Sequence, residues 1–243
     1  MGWSDTWGDI LQGGNPRWKI VSNDSHQKAL SQFQRFVPIS TATTNNEGER
    51  SSPPPSPSVF CPLAGDDPIV YLLWERGYSV TSIDLVPAAV DSMRSQFTDG
   101  TWSKATVPEE DGTDTTTTVW THDSGRATLY VGDALRTRSE LINKFDAVYD
   151  KDSFGALRKE MRTAFCQRIA EYCKQDATVY IEVKLKDNHD AVKDVGPPFS
   201  LQKEDLMEYG SYGSSFEYVE GLGSIYDLPL PSMKQTGHIL RRV

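Results

Sequence analysis

The sequence has few of the residues that mark a redox protein or a metal centre. Its 243 residues include three cysteines and four histidines. No C-x-x-C pair is present, and the histidines do not have the H-x-x-x-H or H-E-x-x-H spacing of zinc sites. We therefore expect buried core thiols and no metal site.

Long apolar runs and an excess of basic residues are absent as well. No run approaches the roughly 20 apolar residues of a membrane span, and the N-terminus lacks the charged and apolar regions of a secretory signal. The net charge of −9 argues against a nucleic acid held on a basic surface. These features predict a cytoplasmic protein that acts on small molecules, without a membrane or nucleic-acid partner, and we expect a monomer.

The length and composition predict one domain over residues 1–243, because a hydrophobic content of 37% can bury one sizeable core. Residues 1–36 contain three of the six tryptophans. They are predicted to form either a lid over a ligand or a helix packed on the domain by the same aromatic residues. Two stretches with little to bury, about 40–58 and 104–118, are predicted to be low-complexity insertions that loop out.

Residues 59–84 have the pattern of half a mononucleotide-binding α/β unit. A short apolar strand, Val59–Leu63, leads to Gly65, where the backbone can turn and approach a ligand closely. Pro68 suits the start of a helix, and a second strand ends at Asp84. A carboxylate about 20 residues after such a glycine can accept both hydroxyls of a ribose. The alternative is that Gly65 is a loop glycine and Asp84 a helix cap.

Two later strands also end in acidic residues. Asp133 and Asp150 follow apolar runs as Asp84 does, and ligands bind at the carboxyl ends of strands in doubly wound sheets. A helix is predicted over 158–173 and a strand over 178–183. Two late strands, 216–219 and 238–243, predict an antiparallel hairpin at the sheet edge. The fold class is therefore α/β, with a doubly wound and mostly parallel sheet.

The arrangement resembles a class I S-adenosylmethionine methyltransferase, and four stretches narrow the likeness. Residues 59–65, 76–80, 144–150 and 196–199 (VFCPLAG, RGYSV, KFDAVYD and GPPF) resemble the thiopurine S-methyltransferase family in order and spacing. The resemblance implies a seven-stranded Rossmann-like sheet. It also implies S-adenosyl-L-methionine as the cofactor and S-adenosyl-L-homocysteine as the product.

The resemblance also implies which residues form the site. Cofactor contacts are expected from Trp7, Leu11, Gly14, Trp18, Leu63, Gly65, Asp84, Leu85, Asp133, Ala134 and Lys151. Substrate contacts are expected from Trp18, Lys151, Pro198 and Phe199. The family usually has glutamate where this chain has Asp84 and arginine where it has Lys151. Arginine and lysine are not interchangeable at a bidentate or stacked site, so the second departure bears on the acceptor.

Asp150 and Asp152 are the candidate catalytic proton acceptors, although the first can simply end its strand and the second can cap a helix. The predicted reaction is methyl transfer to the sulfur of a thiopurine-like compound or another small thiol. The alternatives are a halide, oxygen or nitrogen acceptor, or a homologue that binds the cofactor without catalysis. A nicotinamide oxidoreductase is disfavoured because the first turn has only one glycine.

Overall fold

The computed structural model describes residues 22–39, 55–108 and 116–243, and the nine strands in these ranges form one sheet. The strands are β1 (Ser58–Pro62), β2 (Ser79–Asp84), β3 (Trp102–Pro108), β4 (Thr116–His122), β5 (Ala127–Val131), β6 (Phe145–Lys151), β7 (Cys173–Lys186), β8 (Phe216–Tyr226) and β9 (Met233–Arg242). The helices are α1 (Asn23–Phe36), α2 (Ile69–Glu75), α3 (Pro87–Ser95), α4 (Ser153–Ala156), α5 (Lys159–Tyr172), α6 (His189–Val192) and α7 (Lys203–Met207).

The strand order is β3-β4-β5-β2-β1-β6-β7-β9-β8. The five central strands, from β5 to β7, run parallel, and an antiparallel pair flanks them on each side. The chain moves from β1 to β2 in one direction and later places β6 on the other side of β1. This reversal creates a crevice at the carboxyl ends of β1 and β6, where sheets of this type bind ligands.

The second predicted insertion, 104–118, is corrected by the structure. Its two ends lie in strands: Lys104 of β3 pairs with Trp120 of β4, and Val119 pairs with Tyr130 of the parallel sheet. The β-branched threonines that suggested a polar loop favour the extended backbone of a strand. The sheet consequently has nine strands in the described residues, two more than the seven predicted.

The edge hairpin is confirmed, but its strands are longer than predicted. β8 and β9 pair antiparallel from Phe216 and Arg242 to Tyr226 and Gln235, with several register shifts. β7 likewise extends to Lys186, where it carries charged side chains beyond the predicted strand of 178–183. The helix predicted over 158–173 is confirmed as α5.

Helices cover both faces of the sheet, as the doubly wound prediction requires. One core includes Leu30 and Phe33 of α1 with Leu73 of α2, and the other includes Phe165 and Ile169 of α5. α1 thus packs on the sheet through its apolar stripe. Residues 1–21 and 40–54, which contain the rest of the predicted lid and most of the first insertion, lie outside the described residues. No helix in the described ranges has the length and apolar character to cross a bilayer.

Candidate active site

The ends of β1 and β2 are joined by a carboxylate. Asp84 Oδ2 accepts a hydrogen bond from the Gly65 backbone N–H at 3.1 Å, and Oδ1 accepts one from Val86 N–H at 2.9 Å. Gly65 has φ +60°, the left-handed region that glycine adopts without strain. Burial raises the pKa of Asp84, and the backbone hydrogen bonds oppose this rise. Sequence reasoning paired these two positions, and the structure brings them into direct contact.

A hydrophobic side chain stands open to solvent beside this carboxylate. Leu85 directly follows β2 and is 56% exposed. Leu63, which follows β1, has φ +44° and donates its backbone N–H to Ile83 at 2.9 Å. An acceptor for hydroxyl groups therefore lies next to apolar surface, which is what a nucleoside needs for its ribose and its base.

The end of β5 lies next to β2 at the same edge. Gly132 donates its N–H to the Asp84 carbonyl at 2.9 Å, which ties the two strand ends together. Asp133 follows and accepts a hydrogen bond from Leu135 N–H at 2.9 Å, while Ala134 is buried. Asp133 and Ala134, both predicted cofactor contacts, therefore lie at the end of the strand next to β2.

Asp150, in β6, is fully buried. Its Oδ2 accepts a hydrogen bond from the Tyr212 hydroxyl at 2.7 Å, and its Oδ1 accepts one from Ser153 N–H at 2.9 Å. Burial raises the pKa of Asp150 to about 6, although both hydrogen bonds favour the ionised form. Its role as a proton acceptor stays a prediction, and the geometry favours a structural role that fixes the turn into α4.

Lys151, the predicted cofactor and substrate contact, is held in a buried ion pair. Its Nζ lies 2.5 Å from Asp67 Oδ2, and His26 Nε2 of α1 lies 3.4 Å from Asp67 Oδ1. Burial alone would raise the pKa of Asp67, but Lys151 and His26 hold it well below its usual range. Asp67 Oδ1 also accepts a hydrogen bond at 3.0 Å from the N–H of Ile69, the first residue of α2. These contacts link α1, the turn after β1 and the end of β6, beside the crevice between β1 and β6.

A second buried polar cluster lies at the ends of β6, β7 and β9. Lys184 Nζ is 2.7 Å from Asp152 Oδ2 and also bonds Gln235. Glu182 accepts hydrogen bonds from the hydroxyls of Tyr149, at 2.5 Å, and Tyr226, at 2.7 Å. Asp152, the second catalytic candidate, is therefore already paired with a cation.

Sequence reasoning missed Glu182, Lys184 and Gln235 as members of this edge. One signal was available: Glu182 and Lys184 are two apart in a β-branched strand, so their side chains share a face among apolar neighbours. Charges in a strand of that kind are buried and must be paired. The partners themselves were not readable, because they come from distant parts of the chain.

The predicted substrate loop lies farther along the edge. Phe199 N–H bonds the Gly155 carbonyl of α4 at 2.9 Å, and both Pro198 and Phe199 are half-buried. Arg162 lies over the Phe199 ring, 5.2 Å from its centroid, whereas Lys151, the cation predicted to join the loop, pairs with Asp67. Trp7, Leu11, Gly14 and Trp18 lie outside the described residues, so their predicted contacts stay predictions.

No cysteine in the chain is placed for nucleophilic work. Cys61, Cys166 and Cys173 are free and buried, as expected. Burial raises the pKa of each thiol, to about 12 for Cys173. Because the thiolate is the reactive form, these groups are inert at neutral pH.

Comparison with known proteins agrees with this geometry. The profile of the thiopurine S-methyltransferase family matches residues 43–229, which is more than half of the chain. Thiopurine S-methyltransferase of Psychrobacter cryohalolentis is 26% identical over 182 residues, covering 74% of this chain and 79% of the relative. The enzyme of that name from Methylococcus capsulatus is 28% identical over 192 residues, covering 79% and 76%.

Solved structures show the same fold at low identity. A 1,6-didemethyltoxoflavin N1-methyltransferase from Burkholderia thailandensis, bound to S-adenosylhomocysteine, has a TM-score of 0.63 at 13% identity and covers 99% of this chain and 86% of its own. A magnesium protoporphyrin IX methyltransferase from Synechocystis has a TM-score of 0.60 at 12% identity, covering 99% and 96%.

The fold and the family match define an S-adenosylmethionine-dependent methyltransferase with the Rossmann-like sheet of class I. Within this class, the chain belongs to the thiopurine S-methyltransferase family. Its cofactor is S-adenosyl-L-methionine. The residues present fit that cofactor, since Asp84 can accept from ribose hydroxyls and Leu85 offers apolar surface beside it.

Proposed function

We propose that this protein methylates the sulfur of a small molecule, a thiopurine-like compound or another small thiol. Family membership supports the sulfur acceptor, since both relatives compared above carry the name thiopurine S-methyltransferase. The observation that supports cofactor binding is the Gly65–Asp84 contact, which lies beside the crevice at the carboxyl ends of β1 and β6. A cytoplasmic location and a monomeric state stay predictions from the sequence.

The chain's own residues position the cofactor. Asp84 would accept hydrogen bonds from the ribose hydroxyls, the Gly65 turn would let the backbone approach the cofactor, and Leu85 would offer apolar surface to the adenine. When bound, S-adenosylmethionine supplies an electrophilic methyl group on a positively charged sulfur. The methyl group would pass to the acceptor sulfur, and S-adenosylhomocysteine would be the other product.

The protein contributes mainly alignment and the exclusion of water. Holding two reactants in line can supply on the order of 7–11 kcal/mol of the barrier. A thiolate acceptor needs no base from the protein once its proton is lost to water. This fits an edge where Asp150 accepts a hydrogen bond from Tyr212 and Asp152 is paired with Lys184.

On the β6–β7 side of the sheet edge, where we expect the acceptor, the shape of the site should select the acceptor more than its charge does. Lys151 is neutralised by Asp67 and Lys184 by Asp152, so neither cation is free to pair with an anionic thiolate. We therefore expect selection of the acceptor by fit against the Pro198–Phe199 loop and the Trp18 segment. A flat aromatic thiol or a compact aliphatic thiol meets this requirement.

The test is transfer of radiolabelled methyl groups to a panel of thiols, halide ions, phenols, amines and a protein extract. We expect labelling of small thiols and none of macromolecules. Labelling of oxygen, nitrogen or halide acceptors with none on sulfur would replace the sulfur proposal while leaving the cofactor unchanged. Wild-type protein heated above its unfolding temperature is the blank for uncatalysed thiol methylation.

A further inference from the structure

A basic cleft lies at the start of α5, outside the cofactor edge. It has a volume of about 240 Å³ and is lined by Arg158, Lys159, Glu160, Arg162, Lys193, Asp194 and Phe199. Four cations and two carboxylates line it, and Lys159 pairs with a further carboxylate outside the lining, that of Glu208, at 3.1 Å. Arg162 and Lys193 have no ion-pair partner within 4.0 Å among the described residues, and two such cations in one cleft suit an anionic ligand.

Arg162 is a buried cation of this cleft whose position is fixed by its neighbours. Its residue is only 8% exposed, and the guanidinium lies between two rings, 4.8 Å from the centroid of Phe154 and 5.2 Å from that of Phe199. Its Nε donates to the Leu157 carbonyl at 3.1 Å. Among the described residues its terminal nitrogens have no hydrogen-bond partner, and the side chain lines the cleft. A guanidinium held between two rings, with its terminal nitrogens unbonded within the described residues, is suited to carboxylate or phosphate oxygens.

The first turn of α5 adds to the positive potential. The N-cap residue is Arg158, whose side chain makes no capping hydrogen bond, and Lys159 follows it. A helix N-terminus favours negative charge, and Glu160 is the one acidic residue of this first turn. Lys193, across the cleft, has no ion-pair partner within 4.0 Å among the described residues. Arg158 and Lys159 already lie 3.6 Å from Glu160 and 3.1 Å from Glu208, so a bound anion would pair mainly with Lys193 and the Arg162 guanidinium.

We propose that this cleft binds the acidic group of a small ligand, a carboxylate or a phosphate. The anion has two possible sources, a free anion or the acidic group of the methyl acceptor itself. The second source rests on the proposed function and has a structural basis. Phe199 lines the cleft and belongs to the loop that is bonded to Gly155 of α4, directly after the end of β6.

The first measurement is calorimetric titration of inorganic phosphate into the wild type and the Lys193→Glu and Arg162→Gln variants at low salt. We expect each substitution to weaken binding by at least about tenfold, since each removes a charge-assisted contact. Lys104→Glu is the matched control, because this exposed lysine lies on β3 at the far end of the sheet and should leave the affinity unchanged.

The second measurement compares the KM values of thiophenol and 4-mercaptobenzoate, which differ by one carboxylate. A rise in KM for the acid alone, in Lys193→Glu, identifies the acceptor as the source of the anion. Weaker phosphate binding with both KM values unchanged identifies a separate anion. Should Lys193→Glu change neither phosphate binding nor the KM of the acid, the proposal is overturned. Should no thiol be methylated, the proposed function fails, and the phosphate titration still decides on the cleft.

Discussion

The two halves of the carboxyl edge differ in how their charged groups are satisfied. On the β1–β2 side, Asp84 accepts hydrogen bonds from backbone N–H groups, and Leu85 beside it is open to solvent. On the β6–β7 side, Lys151 is paired with Asp67 and Lys184 with Asp152. A ligand can add hydrogen bonds to Asp84 without breaking an ion pair, but a charged ligand must break one on the other side. A ligand that pairs with Lys151 or Lys184 therefore costs an internal ion pair, whereas one that bonds Asp84 does not.

Substitution at Asp67 should give the largest effect and tests whether the β6–β7 side depends on its internal pairs. Asp67→Ala leaves the Lys151 ammonium buried without its partner, and we expect a loss of about 3–5 kcal/mol in the free energy of unfolding. Urea unfolding followed by circular dichroism measures this loss. Asp91→Ala, which removes an exposed ion pair with Arg94 on α3, is the control and should stay within about 1 kcal/mol of the wild type.

A double substitution sharpens the result. Asp67→Leu with Lys151→Met removes both charges and should recover much of the stability, because the cost of the single change comes from the unpaired ion. A single variant as stable as the Asp91→Ala control would show that the pair is not buried as described.

The contribution of the Asp150 carboxyl to the free energy of unfolding is smaller and depends on pH. Burial raises its pKa to about 6 in the folded protein, against about 3.9 for an unperturbed aspartate, so the folded state binds more protons between these values. The stability linked to this group is fully present below about pH 4 and is lost as the pH rises through about 6. The total is about 3 kcal/mol.

The Asp150→Asn variant cannot ionise and should not lose this stability. We expect the variant to gain relative to the wild type between about pH 4 and pH 6, and the gain to level off above that range. Urea unfolding at intervals of half a pH unit measures the difference, in which other titrating groups cancel. A difference independent of pH would contradict the raised pKa.

The smallest effect is expected on the cofactor side, at Leu85. Because this side chain is exposed, Leu85→Ala should leave the unfolding temperature unchanged. The loss of apolar contact with adenine should weaken cofactor binding by about two- to fivefold. Ile142→Ala, at another exposed apolar side chain away from this edge, is the control for calorimetric titration. Equal affinities in the two variants would remove Leu85 from the site.

Local patterns were sufficient to predict much of the fold. The parallel strands that end at Asp84 and Asp150, and the antiparallel finish, follow from short apolar runs bounded by acids and turns. The β3–β4 pair was missed because a threonine-rich segment has the polar composition of a loop, although threonine favours strands. The pairing of Val119 with Tyr130 shows that the segment is a strand, and this pairing is not readable from local sequence.

Some contacts of the site could likewise be predicted from the sequence, and others could not. Gly65 and Asp84 could be paired from sequence, since they belong to one strand–turn–helix–strand unit. The Lys151–Asp67 contact could not, because the two residues lie 84 positions apart and meet only when β6 packs beside β1. The resemblance to a family that has arginine at Lys151 suggested a ligand contact there. An acidic residue at position 67 supplies a partner within the protein instead.

The most direct test of the account is calorimetric titration of S-adenosylhomocysteine into the wild type, Asp84→Ala and Asp84→Asn. Removing a carboxylate that accepts from ribose hydroxyls costs roughly 1.5–3 kcal/mol. We therefore expect Asp84→Ala to bind about tenfold to a hundredfold more weakly, with Asp84→Asn in between. Circular dichroism verifies that both variants are folded. A folded Asp84→Ala protein with wild-type affinity would contradict the assignment of the cofactor to the β1–β2 side of the edge.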